Sequence, residues 1–200
     1  MRFILLIVTL ATLNSPSAAA YELDYYTKLV YLDNYGNLDL RHKSFTQLPA
    51  GLSIKGNLDI SQTPIMQLPN GLNVGGSLEA TNSALKTVRP GTSIKGYANL
   101  LGSQIENWPK GVKLGGYLNL TDTPLKKLPA RLRVYGDLSV IRTPLRSLPD
   151  GLIIDGNLYI GGSEIKTFPD KLTVKGNIFL GGNQITKWPS NLTLGGAVAP

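Results

Sequence analysis

Three acidic residues recur at intervals of twenty in this chain: Asp39, Asp59 and Glu79. In a fold whose successive turns stack, residues twenty apart become neighbours at about 5 Å. Carboxylates this close repel one another, so the ladder predicts a raised pKa for at least one of them or a bound cation such as calcium. Carboxylates at about this separation also serve retaining glycosidases. The simpler interpretation is a solvated strand face whose acidic side chains turn into water.

A second recurring set is aromatic. Tyr97 and Tyr117 each follow a recurring glycine, and Tyr159 and Phe179 occupy the same column as the three acidic residues. Stacked aromatic rings bind sugars or apolar partner surfaces, but cross-strand pairing that only stabilises a sheet gives the same pattern. If the molecule has a binding face, we expect these two columns to form it.

A stripe of basic residues comes just before a recurring large apolar residue and proline. It comprises Lys86, Lys126, Lys127, Arg146, Lys166 and Lys187. Such a stripe could meet acidic polysaccharides or lipid phosphates, or it could serve only as a charged edge that opposes aggregation. No nucleic-acid-binding motif accompanies it, so we expect no nucleic-acid partner.

Several kinds of chemistry lack the residues they need. The chain has no cysteine and one histidine, His42. Thiol catalysis, zinc–thiolate sites and disulfides are therefore excluded, and no glycine-rich phosphate loop opens a helix. We expect no enzyme, no cofactor and no dedicated metal site, with Asp39, Asp59 and Glu79 as the only candidate for binding a cation.

All of these columns belong to one repeat of twenty residues. Apolar residues lie two and four positions after a recurring glycine, and a large apolar residue with proline, as in Leu48-Pro49, follows them. A pair such as Leu52 and Ile54 closes each coil. A period this regular indicates stacked repeats. The recurring glycines are Gly36, Gly56, Gly76, Gly96, Gly116, Gly136, Gly156, Gly176 and Gly196.

The repeat predicts an all-β solenoid of eight coils, similar to a leucine-rich repeat, over residues 36–195. Each Leu-x-Leu alternation buries one side of a short strand, and coils this small bury their apolar side chains only against each other. The glycine column predicts a corner with a positive φ or a close backbone approach. We expect residues 21–35 to form an N-terminal cap and residues 196–200 to begin a truncated ninth coil.

The first twenty residues, 1–20, have the features of a secretory signal peptide. Arg2 precedes a short apolar run that ends at Ala20, too short to serve as a transmembrane anchor. We expect cleavage before Tyr21 and a secreted, periplasmic or cell-envelope location. Arg2 is the only charged residue removed, so the net charge falls from +7 to +6.

The segment from Leu58 to Pro69, LDISQTPIMQLP, resembles the short leucine-rich repeats of bacteria, whose pattern is L-x-V-x-x-N-x-L-x-x-L-P. The resemblance covers residues 36–195 and implies a generic recognition scaffold. Coil eight keeps the family's asparagine as Asn183, but most coils have threonine or serine there, so hydroxyls must make its backbone hydrogen bonds. Some members are injected effectors with a cysteine-dependent ubiquitin-ligase domain. That activity is not implied for a chain without cysteine.

Three functional hypotheses follow, in order of preference. The first is an exported, non-enzymatic recognition scaffold that binds a protein or glycan on its strand face. The second is a structural protein of the envelope or surface that self-associates end to end through the open ninth coil. The third is a polysaccharide-active enzyme built on the acidic ladder, although coils this short leave no long loops to form a cleft.

Overall fold

The computed structural model describes residues 22–200, which form a β-solenoid of eight twenty-residue coils. Parallel sheets run along the stack, and the one helix of the described residues is six residues long. The predicted all-β solenoid is confirmed. The expected signal peptide and its cleavage site before Tyr21 lie outside the described residues.

The longest sheet, here called the front sheet, takes one two-residue strand from each coil. Its strands pair in parallel at a register of twenty, so that Leu38 lies beside Leu58 and Asp39 beside Asp59. In every strand of the front sheet except the last, the first residue is buried and the second is more exposed, as the alternation predicts. The strands are β1 (Leu38–Asp39), β3 (Leu58–Asp59), β5 (Leu78–Glu79), β7 (Ala98–Asn99), β9 (Leu118–Asn119), β11 (Leu138–Ser139), β13 (Leu158–Tyr159), β15 (Ile178–Phe179) and β17 (Val198–Ala199).

The Leu-x-Ile pairs form a second side of the solenoid, which is split into two sheets of four strands. The first side sheet contains β2 (Ser53–Ile54), β4 (Asn73–Val74), β6 (Ser93–Ile94) and β8 (Lys113–Leu114). The second side sheet contains β10 (Arg133–Val134), β12 (Leu152–Ile154), β14 (Lys171–Val174) and β16 (Asn191–Leu194). The repeat is unbroken at this point in the sequence, so the split between β8 and β10 is not predicted by it.

The third side is formed by the segment before each proline, which makes single parallel bridges such as Gln67 to Thr87. The apolar columns from all three sides converge on one continuous core. Burial of these columns from neighbouring coils is the main source of stability in a stack of this kind. One coil contributes Leu58, Ile60, Ile65, Leu68, Leu72 and Val74, each at most 1% exposed.

The recurring glycines occupy a corner where successive coils touch. A Cβ on Gly176 would lie 2.8 Å from the carbonyl carbon of Gly156, and one on Gly76 would lie 2.9 Å from that of Gly56. Of the two explanations for this column, close backbone approach is therefore correct from Gly56 onward. Gly36 alone in the column has a positive φ, of 80°.

Residues 22–35 lie at the start of the stack. Helix α1 (Tyr25–Val30) is capped by Asp24, whose Oδ1 accepts a 2.8 Å hydrogen bond from the Thr27 N–H. Leu23 is fully buried and its N–H donates to the Gln47 carbonyl of the first coil. No helix within residues 22–200 is long and apolar enough to span a membrane.

At the other end of the described stack, the side chains are more open. Trp188 is 41% exposed and Val198 is 39% exposed, although Val198 belongs to β17 and pairs with Ile178. Trp188 also packs edge-on against Phe168, with ring centroids 5.2 Å apart. The last coil therefore presents apolar surface along the direction in which coils stack.

Candidate functional site

The acidic ladder is assembled as the repeat predicts, and a neighbouring arginine offsets part of its charge. Asp39, Asp59 and Glu79 are successive members of the front sheet. The Arg41 guanidinium lies 2.6 Å from Asp39 Oδ2 and 3.4 Å from Asp59 Oδ2. Arg41 thus supplies a positive charge at the place where the sequence suggests a bound cation. Within residues 22–200, no group of three or more histidine or acidic side chains is arranged to hold a metal ion.

The expected rise in carboxylate pKa is not found at Asp39. Hydrogen bonds from the Arg41 side chain, and then its backbone N–H and positive charge, hold the pKa of Asp39 below its usual value, against a smaller effect of burial. The prediction of a raised pKa for at least one carboxylate therefore does not apply to Asp39, because the column of neighbouring acids is not its whole environment. Arg41, two residues along the chain, lies over the same ladder.

The four aromatic residues form two stacked pairs on the front face. The Tyr97 and Tyr117 rings are nearly parallel, at 8°, with centroids 4.3 Å apart. Those of Tyr159 and Phe179 are at 3° and 4.8 Å. All four side chains are only partly buried. Each ring therefore has one face covered by its partner in the neighbouring coil.

The uncovered faces of Tyr117 and Tyr159 are both directed toward the coil that lies between them. Tyr97, in the preceding coil, covers one face of Tyr117, so the free face of Tyr117 points toward the following coil. Phe179, in the following coil, covers one face of Tyr159, so the free face of Tyr159 points toward the preceding coil. Two coil steps, about 9–10 Å, separate the two rings along the stack. The coil between them contributes Ser139, a small side chain where its neighbours in the column are Asn119 and Tyr159. The result is an open slot of about 380 Å³ lined by both tyrosines.

Polar groups line the floor and edges of this slot. The Ser139 and Thr121 hydroxyls lie 2.7 Å apart and share a hydrogen bond. Asn119 and the Asp137 carboxylate also line the slot, and Asp137 Oδ1 accepts a 2.7 Å bond from the Asn157 N–H. Aromatic faces with hydroxyl, amide and carboxylate groups around them can hold a ligand that is apolar on one face and polar at its edge.

The tyrosine hydroxyls of the two pairs stay protonated at neutral pH. The hydrogen bond to Glu79, followed by burial and the Glu79 charge, raises the pKa of Tyr97. Burial and the Glu79 charge raise the pKa of Tyr117, and burial with the Asp137 charge raises that of Tyr159. The Tyr117 and Tyr159 phenols at the slot are therefore neutral.

A ladder of polar side chains lies beside the front sheet and was not foreseen from the sequence. Asn37 Oδ1 accepts from the Asn57 N–H at 2.7 Å, and Asn57 Oδ1 accepts from the Ser77 N–H at 2.8 Å. The ladder is interrupted at Tyr97 and Tyr117 and then resumes. The signal was present as a column of small polar residues after the glycine: Asn37, Asn57, Ser77, Asp137, Asn157 and Asn177.

This ladder also corrects the expectation that hydroxyls replace the family's asparagine between coils. Thr63 Oγ1 donates to the Ile60 carbonyl at 2.7 Å, and Ser83, Thr123 and Thr143 make the equivalent bond. These bonds stay within one coil, because they join residues three apart. Bonds between coils come from the column after the glycine, and also from Asn183, which accepts from the Gly162 N–H and donates to the Ser163 carbonyl, both at 3.0 Å.

The basic stripe lies on the third side of the solenoid, away from the slot. All six residues, Lys86, Lys126, Lys127, Arg146, Lys166 and Lys187, are exposed. Three are paired with acids: Lys126 with Glu106 at 2.7 Å, Arg146 with Glu164 at 2.8 Å, and Lys187 with Asp170 at 2.9 Å. The pairing fits a charged, solvated edge, and it leaves Lys86, Lys127 and Lys166 outside these three pairs.

Comparison of the chain with models of protein families, with curated proteins and with solved structures finds no match. The fold and the slot define the chain as a β-solenoid repeat protein with an aromatic front face.

Proposed function

We propose that the chain is an exported, non-enzymatic recognition scaffold of the short leucine-rich-repeat type found in bacteria. Its front sheet binds a glycan. The observation that carries this proposal is the slot between the free faces of Tyr117 and Tyr159. A sugar ring presents C–H groups on its face and hydroxyls at its edge, and the slot offers ring faces together with the polar groups of Ser139 and Asp137.

The arrangement of the two rings favours an oligosaccharide over a single ring. Tyr117 precedes and Tyr159 follows the buried strand residue of its coil, so the rings are offset by about 6–7 Å along the strand direction. A sugar ring in contact with either tyrosine face needs about 3.5–4 Å of space. Two linked sugars can therefore each cover one tyrosine, with the linkage crossing Ser139.

The partners of the acidic ladder favour binding over hydrolysis. Tyr97 and Asn99 donate to the two oxygens of Glu79, at 2.7 and 2.8 Å, and Arg41 bridges Asp39 and Asp59. A general acid or nucleophile needs an oxygen that reaches the glycosidic bond. These carboxylates hold side chains in place instead.

The test is binding of the purified protein to an array of neutral oligosaccharides. A retained ligand is then titrated against the double variant Tyr117→Ala/Tyr159→Ala. Because the slot loses both ring faces, we expect affinity to fall by about tenfold or more, close to 1.4 kcal/mol. A matched control replaces two tyrosines outside the slot, Tyr26 and Tyr35, which are 80% and 86% exposed.

The outcomes separate the classes of ligand. Binding that is lost in the slot variant and kept in the control supports the glycan proposal. Full binding by the slot variant would overturn it. If no glycan binds but a protein of the envelope or surface binds in a way that depends on the slot, the chain is still a recognition scaffold and its ligand is a protein.

Export is tested separately by mass spectrometry of the protein recovered outside the cytoplasm. The expected N-terminus is Tyr21, because Ala18, Ala19 and Ala20 have the small-residue pattern that precedes a signal-peptide cleavage site. A chain that keeps Met1 and stays in the cytoplasm would contradict export and leave the slot proposal standing.

Self-association through the last coil is a second candidate function. The exposure of Trp188 and Val198 favours it, since apolar surface along the stacking direction can receive another coil. Light scattering over a wide concentration range tests it, and Val198→Lys should return any larger species to monomer. A monomer at every concentration would exclude this candidate.

A further inference from the structure

A cleft of about 850 Å³ opens where the side sheets are split, on a different side of the solenoid from the slot. It is formed by three successive coils, through residues 93–95, 109–115 and 129–135. Its volume falls within the range of about 300–1,000 Å³ that small-molecule sites occupy. None of the residues that line it belongs to the front sheet.

The cleft exists because one step of the backbone ladder is missing. At the step before it, the Lys113 and Gly115 N–H groups donate to the Thr92 and Ile94 carbonyls, at 2.9 and 3.0 Å. At the step after it, Ile153 and Asp155 donate to Leu132 and Val134, both at 2.9 Å.

Between β8 and β10 the equivalent bonds are not made. The N–H groups of Arg133 and Tyr135 and the carbonyls of Val112 and Leu114 have no partner in this ladder among the described residues. The cleft thus combines backbone donors with backbone acceptors.

The lining is strongly basic. Its charged residues are Lys95, Lys110, Lys113, Arg131 and Arg133, and no acidic residue lines the cleft. Arg133 has a nearby acid, Asp155 at 2.8 Å, but Asp155 also pairs with Lys175 at 2.7 Å. The cleft therefore keeps an excess of positive charge, which attracts anions.

A strained turn and an exposed aromatic ring also belong to the cleft. Arg131 has a φ of 57°, in the left-handed region, where the corresponding turn residues of most other coils are glycine. A non-glycine residue there costs about 1–2 kcal/mol, but five other non-glycine residues at a different corner of the coils share a positive φ, so the strain does not by itself mark the cleft. Tyr135 is 57% exposed and lies against the Arg133 guanidinium at 4.8 Å, leaving a ring at the edge of the cleft.

We propose that this cleft binds an acidic oligosaccharide, one whose sugar rings carry carboxylate or sulfate groups. Its anionic groups would pair with Lys95, Lys110 and Lys113. Its hydroxyls, which both donate and accept, would meet the open carbonyls and N–H groups of the backbone. One sugar face would lie on Tyr135.

Other anionic ligands satisfy fewer of these groups. Inorganic phosphate or sulfate cannot donate enough hydrogen bonds to use the Val112 and Leu114 carbonyls, and it does not reach Tyr135. An acidic peptide added as a strand draws its affinity from a run of edge hydrogen bonds, and here the open edge is only two residues long. The mixed lining fits an acidic sugar chain best.

The experiment measures binding of the intact protein to two probes by calorimetry: an oligogalacturonate and a sulfated oligosaccharide of similar length. The cleft variant is Lys95→Gln/Lys110→Gln/Lys113→Gln. The matched control, Lys86→Gln/Lys127→Gln/Lys166→Gln, removes the same charge from the basic stripe. We expect the cleft variant to bind at least one probe about tenfold more weakly, and the control to stay within about twofold.

A second variant guards against an effect of charge alone. Tyr135→Ala should weaken binding of the sugar probe, because the ring face is lost. The ability of inorganic sulfate to compete with the probe should not change, because sulfate does not reach Tyr135. Thermal melts establish that all three variants fold. The probe that binds more tightly shows whether the cleft prefers carboxylate or sulfate groups.

Several results would overturn the proposal. Equal loss of affinity in the cleft and control variants would mean attraction by net charge only. Inorganic sulfate or poly-glutamate that binds as tightly as either sugar probe would assign the cleft to a simple anion or to an acidic peptide. Binding of neither probe would leave the cleft without this function.

Discussion

The Tyr97 hydroxyl donates a 2.7 Å hydrogen bond to Glu79 Oε1, which lies in the preceding coil. Asn99 Nδ2 donates to the other carboxylate oxygen at 2.8 Å. This contact joins two columns that look independent in the sequence, the acidic ladder and the aromatic pairs. Because Glu79 fixes the tilt of the Tyr97 ring, it also positions Tyr117, which stacks on that ring.

Tyr97→Phe should lower the free energy of unfolding by about 1–2 kcal/mol, because a hydrogen bond to a partly buried carboxylate is lost while the stacked ring is kept. Chemical denaturation of the purified protein measures this. The control is Tyr35→Phe, at a ring that is 86% exposed, for which we expect no change. If both substitutions have equal effects, the Glu79 contact does not stabilise the pair.

Asp39 should make the stability of the first coils depend on pH. Its pKa is lowered in the folded chain by Arg41, so its contribution is present above the usual value of 3.8 and is lost as the pH falls below that value. Asp39→Asn should therefore melt at a lower temperature than the parent protein near pH 7 and at a similar temperature near pH 2. A difference that stays constant between these pH values would contradict the role of Arg41.

The regular part of the fold could be predicted from the sequence because it depends on periodicity. A period of twenty brings Leu38 beside Leu58 and Tyr97 beside Tyr117, whatever the path of the coil between them. The acidic ladder, the aromatic pairs and the basic stripe therefore lie in columns as expected. What they bind is not fixed by the period.

The features that sequence analysis missed depend on differences between coils or on pairs of columns. Arg41, from a neighbouring column, bridges Asp39 and Asp59 and offsets part of their charge. The slot needs Ser139 to be small and the two aromatic pairs to lie in different columns. The split between β8 and β10 has no marker in the repeat, and we have no physical account of why it falls there.

Arg131→Gly should stabilise the protein by about 0.5–1 kcal/mol, since glycine relieves the left-handed strain but loses more entropy on folding. Lys171 provides the control, because it holds the same place in its coil and begins β14 without a positive φ. Lys171→Gly should destabilise the protein by about 0.5–1 kcal/mol. Opposite signs in denaturation experiments support strain at the cleft, and equal signs contradict it.

The polar ladder beside the front sheet should be a main source of coupling between coils. Asn57 accepts the Ser77 N–H and donates its own N–H to Asn37. Asn57→Ala leaves the partly buried Ser77 N–H without an acceptor, at a cost of about 1–3 kcal/mol.

Asn57→Asp is the matched variant, because it keeps an acceptor at the same atom; Asp137 already accepts from the Asn157 N–H in this way. We expect Asn57→Asp to unfold close to the parent protein and Asn57→Ala to unfold earlier. Hydrogen exchange should show the loss locally, as faster exchange of the Ser77 amide. If both variants lose the same stability, the side-chain acceptor is not what couples the coils, and packing of the apolar columns alone accounts for the stack.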